Sequence, residues 1–250
     1  MRRPCVAITL AVLVVSSPLA TSTLSADDWM LPEPASFHAR GMSLVAEIFP
    51  PDSRQNSGAR ALCYFYELGY PGTHWDVKPQ LTWKGPLANE RMPVEAIVSM
   101  DGWLVTLNNW GSMGKAHAIV VYDRRGRLVA DWSGDQLFAH PALEKIARAR
   151  TSASSIWWNE KAKYYFSRAN TLFISVADDV VIRIDLAGAS YRVGTPSTFR
   201  DYPAIAADTN ALTEVWKTSL RFASITDLLA ARRLTDPGRS TDHPGNPGRP

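Results

Sequence analysis

The chain has 250 residues, 46% of them hydrophobic and 20% charged, with 27 Lys+Arg against 24 Asp+Glu and two cysteines. That is ordinary globular composition, and it excludes a wholly disordered, collagen-like or disulfide-framework protein. The formal charge of +3 points at first to an acidic partner.

The N-terminus changes that impression. Arg2 and Arg3 precede an apolar run from Val6 to Val15, and small and polar residues follow from Ser16 to Ala26. This n-, h- and c-region order is that of a secretory signal peptide, and a run of about ten apolar residues is half of what a spanning helix needs. Ala20 and Ser22 set small residues at −3 and −1, so cleavage is expected after Ser22, with Ala26 as the fallback. The expectation is an exported protein, periplasmic or extracellular, with residues 1–22 as its signal and no membrane span after cleavage. Cleavage leaves 25 basic and 24 acidic residues, a net of +1. No clustered positive face remains beyond Arg232-Arg233, so nucleic acid is not expected as a partner. Cleavage also removes Cys5, and Cys63 alone cannot make an internal disulfide.

Residues 23–41 read as an irregular lead-in, because Pro32 and Pro34 interrupt it. Residues 42–195 read as β. Strands are expected at Ser43–Phe49, Ala61–Leu68 and Trp75–Trp83, the last weakened by Pro79. Val94–Met100 and Trp103–Asn108 flank Asp101-Gly102, the signature of a type I′ hairpin. Ala116–Tyr122 and Leu128–Trp132 follow, joined by Asp123-Arg124-Arg125-Gly126. His140-Pro141 opens a short helix with Leu143, Ile146 and Ala147 on one side. A second run of strands covers Lys163–Phe166, Thr171–Ala177, Val180–Leu186 and Ser190–Val193, with Val180, Ile182, Ile184 and Leu186 sharing a face. Residues 196–235 read as a helical segment on Leu212, Val215, Trp216 and Leu220. Residues 236–250 are Pro- and Gly-rich and read as a disordered tail.

Two of these runs end alike. Ile119 to Gly126 and Val181 to Gly188 are each a β-rich stretch followed by Asp-x-x-Gly and another strand. Four-stranded meanders closed in this way resemble the blades of β-propeller repeats. The resemblance covers about 94–132 and 163–193, with a looser unit at 43–83. It implies a mainly β protein of antiparallel meanders, propeller-like or sandwich, to which the residue patterns add a short helix between units and a helical C-terminal segment.

No phosphate-binding loop, His-Glu-x-x-His motif or Gly-x-Ser-x-Gly elbow occurs. The five histidines are scattered, so neither a metal site nor any cofactor is expected. Cys63 alternates with Phe65 on one strand face and reads as a buried small hydrophobe rather than a thiol activated by His74 and Asp76. Glu47, Glu95 and Glu160 are candidate carboxylates, with a solvated outer face as the favoured role.

Two constellations remain. The loop after Asn108 concentrates amides, an aromatic and flexible glycines, and makes Asn109, Trp110, Ser112, Lys115 and His117 the candidate binding residues. Tryptophan is the other: there are nine, able to fill cores or to build an aromatic platform for a sugar or protein. Adjacent Trp157 and Trp158 cannot both point inward on a strand. The expected function is therefore an exported β-rich binding module with a protein or glycan partner and no catalysis. The alternatives are a secreted hydrolase using carboxylates or His117, and a structural envelope protein.

Overall fold

The structure is a computed structural model, and it describes residues 29, 31–39, 43–51, 58–68, 79–167, 170–204 and 206. The expected signal at 1–22, the tail at 236–250 and most of the expected C-terminal helical segment lie outside these residues, as do His74 and Asp76.

The described chain is mainly β. Its strands fall into three antiparallel four-stranded sheets, in each of which neighbours in sequence are neighbours in space. The first holds β1 (Ala35–His38), β2 (Leu44–Phe49), β3 (Leu62–Glu67) and β4 (Gln80–Pro86). The second holds β5 (Pro93–Val98), β6 (Leu104–Asn109), β7 (Ile119–Tyr122) and β8 (Leu128–Trp132). Two helices follow, α1 (Gly134–Phe138) and α2 (Pro141–Ala149). The third sheet holds β9 (Lys163–Ser167), β10 (Thr171–Ala177), β11 (Val180–Asp185) and β12 (Ser190–Gly194). The meander grammar expected from the sequence is thus present three times.

The period-2 alternation decides how the sheets stack. Ala46, Ile48, Cys63 and Phe65 of the first sheet pack on Ala96, Val98, Leu104 and Val120 of the second. The other face of the second sheet sends Val105, Leu107, Ile119 and Val121 onto Leu172, Ile174, Ile182 and Ile184 of the third. The second sheet therefore lies between the other two, and every residue of β6 and β7 is buried. Each such aliphatic side chain contributes about 1.5–3 kcal/mol of burial. Leu137 of α1 and Leu143 of α2 wedge into the same layer. Ser133 and Gln136 form a reciprocal capping box at the start of α1, and His140 caps α2 ahead of Pro141. The far face of the third sheet is covered by Phe199 and Tyr202, which pack on Tyr165, Phe173 and Val181.

Several local expectations are corrected. The lead-in is not irregular throughout: Ala35–His38 pairs with Val45–Ile48 as β1, on an edge where Pro34 costs no ladder hydrogen bond. The Asp101-Gly102 turn is not type I′, which needs positive φ at both central residues. Only Gly102 has it, at φ 87. Its amide donates to the Ser99 carbonyl at 3.2 Å, and the Ser99 amide donates to the Trp103 carbonyl at 2.9 Å. That is a type I turn closed by a glycine bulge. The Asp123–Arg127 turn repeats it, with Gly126 at φ 74 and the matching bonds at 2.8 and 3.0 Å. Burial alone would raise the Asp123 carboxyl, but the amide and guanidinium of Arg127 and the amide of Arg125 outweigh it and hold the carboxyl below its ordinary range. The second Asp-x-x-Gly turn differs in backbone. Gly188 donates to Asp185 Oδ1 at 2.9 Å, and the positive φ falls on Ala189. The two turns are alike in sequence and not in conformation.

Candidate functional site

The loop between β6 and β7 is not a slack hairpin end. Asn108 sits at φ 59, a left-handed conformation that asparagine tolerates. This aims its side chain inward. Asn108 Oδ1 accepts from Trp158 Nε1 at 2.8 Å and from the Gly114 amide at 2.9 Å, and its Nδ2 donates to Asn159 Oδ1 at 2.9 Å. The Asn108 carbonyl accepts from Asn89 Nδ2 at 3.0 Å, and Thr106 Oγ1 donates to Asn89 Oδ1 at 3.0 Å. One buried asparagine thus ties the loop to the segment before the third sheet.

Asn159 continues the network. Its Nδ2 donates to the Tyr164 hydroxyl at 3.1 Å and to Glu95 Oε2 at 3.4 Å, and Tyr164 donates to the same oxygen at 2.6 Å. Glu95 on β5 and Tyr164 on β9 therefore join the second and third sheets. The expected solvated role is wrong for Glu95 and also for Glu47, which is buried; Glu160 is exposed as expected. Burial pushes the Glu95 carboxyl above its ordinary range, and the Tyr164 bond offsets only part of this. Burial and the Glu95 charge push the Tyr164 hydroxyl well up, so it remains a donor.

This gives a pH dependence with a defined sign. Below the ordinary carboxylate range Glu95 holds its proton in folded and unfolded chains alike. As pH rises the unfolded chain ionises first, so the stability contributed by Glu95 is lost as pH climbs through the raised folded value. Glu95→Gln is expected to remove that loss, so the variant gains in Tm relative to the parent between acidic and neutral pH. Thermal melts across that range check it, and a Tm difference that does not change with pH contradicts it.

The candidate binding residues separate. Asn109 is buried, with its Oδ1 accepting from the Arg91 amide at 3.2 Å. Ser112 turns the loop by donating its amide to the Asn109 carbonyl at 3.0 Å. Lys115 is exposed, and its carbonyl accepts from the Gly134 amide at 2.6 Å. His117 lies before β7 at φ 56, with Nδ1 2.8 Å from Asp131 Oδ2 on β8. That pair is the base-orienting half of a hydrolytic arrangement, but among the described residues no hydroxyl or thiol hydrogen-bonds to His117. Cys63 is fully buried, and burial with the nearby Glu47 charge pushes its thiol up, away from reactivity. Among the described residues no group of three His, Cys, Asp or Glu side chains converges to hold a metal ion. No described helix is long and apolar enough to cross a membrane.

Trp110 faces elsewhere. Its ring meets that of Trp29 edge-on at 5.2 Å, and Trp29 stacks on Trp157 at 5.4 Å with planes 7° apart. All three indoles are half-buried. Trp158, the neighbour of Trp157, is fully buried in the core, so the two adjacent indoles face different surroundings. Beside Trp157 an open depression of roughly 430 Å³ is lined by Ala149, Arg150, Thr151 and Glu160. Arg150 is held there, its Nη1 donating to the Trp158 carbonyl at 3.1 Å. The sequence holds Trp29 only as one of nine tryptophans, and nothing in it singles out Arg150 or Thr151. Trp110 and the adjacent tryptophans at 157–158 carry the local signal for this face.

No family model matches the chain, and no curated protein matches it. Among solved structures, the crystal structure of HIRA(644-1017) is similar at 11% identity, over 69% of this chain and 58% of that one, with a TM-score of 0.27. The chain thus spans 58% of that structure's length. A TM-score of this size carries no argument about function, which rests here on the geometry of the chain itself.

Proposed function

We propose that this chain is an exported binding module that engages a protein partner through the face built from Trp110, Trp157 and the depression beside them. One observation carries the reading: half-buried indoles stand over a rigid polar network, next to a basic, an acidic and a hydroxyl side chain. Large amphipathic rings held in place lose little conformational entropy on binding, and tryptophan and arginine dominate the energetics of protein interfaces. The Asn108 network supplies the rigidity, because the loop and the 155–159 segment are bonded to one buried side chain. Export is supported by the n-, h- and c-region order of the first residues.

The test uses tagged full-length chain recovered from envelope and culture fractions of its own host. Trp157→Ala is expected to remove co-purifying partner protein, at least about tenfold by band intensity for a residue contributing near 1.4 kcal/mol. Its Tm should stay within a few degrees of the parent. Retention of the same partner by Trp157→Ala, or recovery of no partner at all, counts against the reading.

A further inference from the structure

Trp29 belongs to the lead-in, not to the loop face it completes. It lies six residues before β1, which is paired to the first sheet. Its indole nevertheless seats against Trp157, from the segment preceding the third sheet, and Trp110, from the loop of the second. Between the indole and β1, Leu31 is 85% exposed and is followed by Pro32 and Pro34. Among the described residues no backbone hydrogen bond holds 31–34 to the rest of the chain. Among the described residues the strap is therefore tethered at β1 and latched by the Trp29 ring.

The latch is an imperfect one. Trp29 Nε1 is shielded from solvent and finds no acceptor among the described residues. A buried N–H left without a partner is destabilising, which offsets much of what the two ring contacts contribute. The seat is shaped for an indole, but its resident is held weakly.

We infer that the space between Trp110 and Trp157 is a side-chain pocket for an indole on an extended peptide, and that Trp29 is its self-supplied occupant. The strap then competes with the partner's aromatic side chain for the same seat. This rests on the binding face proposed above and names its ligand class. A pocket whose resident leaves about a tenth of the time binds a competitor about tenfold more weakly than an empty one. A partner segment that also brings a carbonyl to the stranded indole N–H position would displace Trp29 with advantage.

The experiment supplies the latch in trans. A synthetic peptide of residues 27–34 is titrated into full-length parent and Trp29→Ala chains and followed by calorimetry. The Trp29→Ala chain is expected to bind the peptide saturably and at least about tenfold more tightly than the parent. The same peptide with Trp29→Ala should not bind either chain. Equal binding by parent and variant, or no binding to a folded Trp29→Ala chain, overturns the inference. Binding of maltose in preference to the peptide also overturns it, by making the seat a sugar platform. Should Trp29→Ala fail to fold, Trp29→Phe retains a smaller ring and should bind the peptide with intermediate affinity. Independently, the far-ultraviolet exciton signal of the Trp29 indole, which meets both Trp110 and Trp157, should vanish in Trp29→Phe and change in Trp157→Phe, where the Trp29–Trp110 pair remains. A spectrum unchanged in Trp29→Phe removes the seat. Loss of peptide binding with partner capture intact sinks this inference alone, whereas partner capture unaffected by Trp157→Ala sinks the binding face.

Discussion

Asn108→Ala is expected to lower the unfolding free energy by about 4 kcal/mol, a large part of the 5–15 kcal/mol that holds a typical domain together. Alanine removes the acceptor of Trp158 Nε1 and of the Gly114 amide, and the donor to Asn159 Oδ1. Trp158 and Asn108 are fully buried, so water cannot replace the missing partner without opening the loop. Each stranded group costs about 1–3 kcal/mol. Alanine also loses the tolerance of asparagine for φ 59, worth about 1 kcal/mol. The terms overlap, because a loop that relaxes rescues several at once, and the estimate sits below their sum. Asn109→Ala is the control: it removes one side-chain bond, from the Arg91 amide, and should cost about 1 kcal/mol. Denaturant titration with an unchanged m-value separates the two. Equal losses at 108 and 109 would show that the network is a set of ordinary loop contacts and not a tie between sheets.

The contrast between those two asparagines shows what the sequence could and could not convey. Period-2 runs such as Val180–Leu186 and the all-apolar Ile119–Tyr122 announce their faces directly, because burial on a pleated strand repeats every second residue. Cys63 and Phe65 followed from the same rule. β1 was hidden because four residues next to Pro34 carry too little period, and its pairing with β2 is a tertiary fact. Asn108 and Asn109 are chemically identical in the sequence. Both are buried, but the left-handed backbone at 108 aims that side chain at partners 50 and 51 residues away. A lone glutamate in a strand is usually solvated, so the sequence alone points Glu95 outward. Its partner Tyr164 lies 69 residues on, and no local pattern reports such a meeting. The tryptophan face was half legible: Trp110 and the 157–158 pair were visible, but the ring that joins them comes from a Pro-interrupted segment with no period. The tryptophan face is assembled from three separate stretches of chain, and that assembly is the part a linear reading lacks.

Gly134→Ala is expected to destabilise the chain by about 3 kcal/mol, although the ordinary rule for helices has the opposite sign. Gly134 is the first residue of α1, after the Ser133 cap, and alanine normally improves a helix over glycine by about 0.5–1 kcal/mol. Here a Cβ would run into the carbonyl oxygen of Gly114, 2.6 Å from its carbon and 2.9 Å from Phe138 Cε2. Phe138 can swing aside, but the Gly114 carbonyl is backbone and is fixed on both sides. The Gly114 amide is held by Asn108 Oδ1, and the Gly134 amide is itself bonded to the Lys115 carbonyl at 2.6 Å. Relief requires the loop to move as a unit, and that strips the hydrogen bonds ending on Asn108. The loop also carries Trp110, so the same substitution should weaken binding at the Trp110–Trp157 seat, unlike a destabilising change in the first sheet. Thermal melts and the peptide titration on a Trp29→Ala background read the two effects separately. A Gly134→Ala chain as stable as its parent would mean that α1 slides away from the loop, and the close approach would then have no part in positioning the indole face.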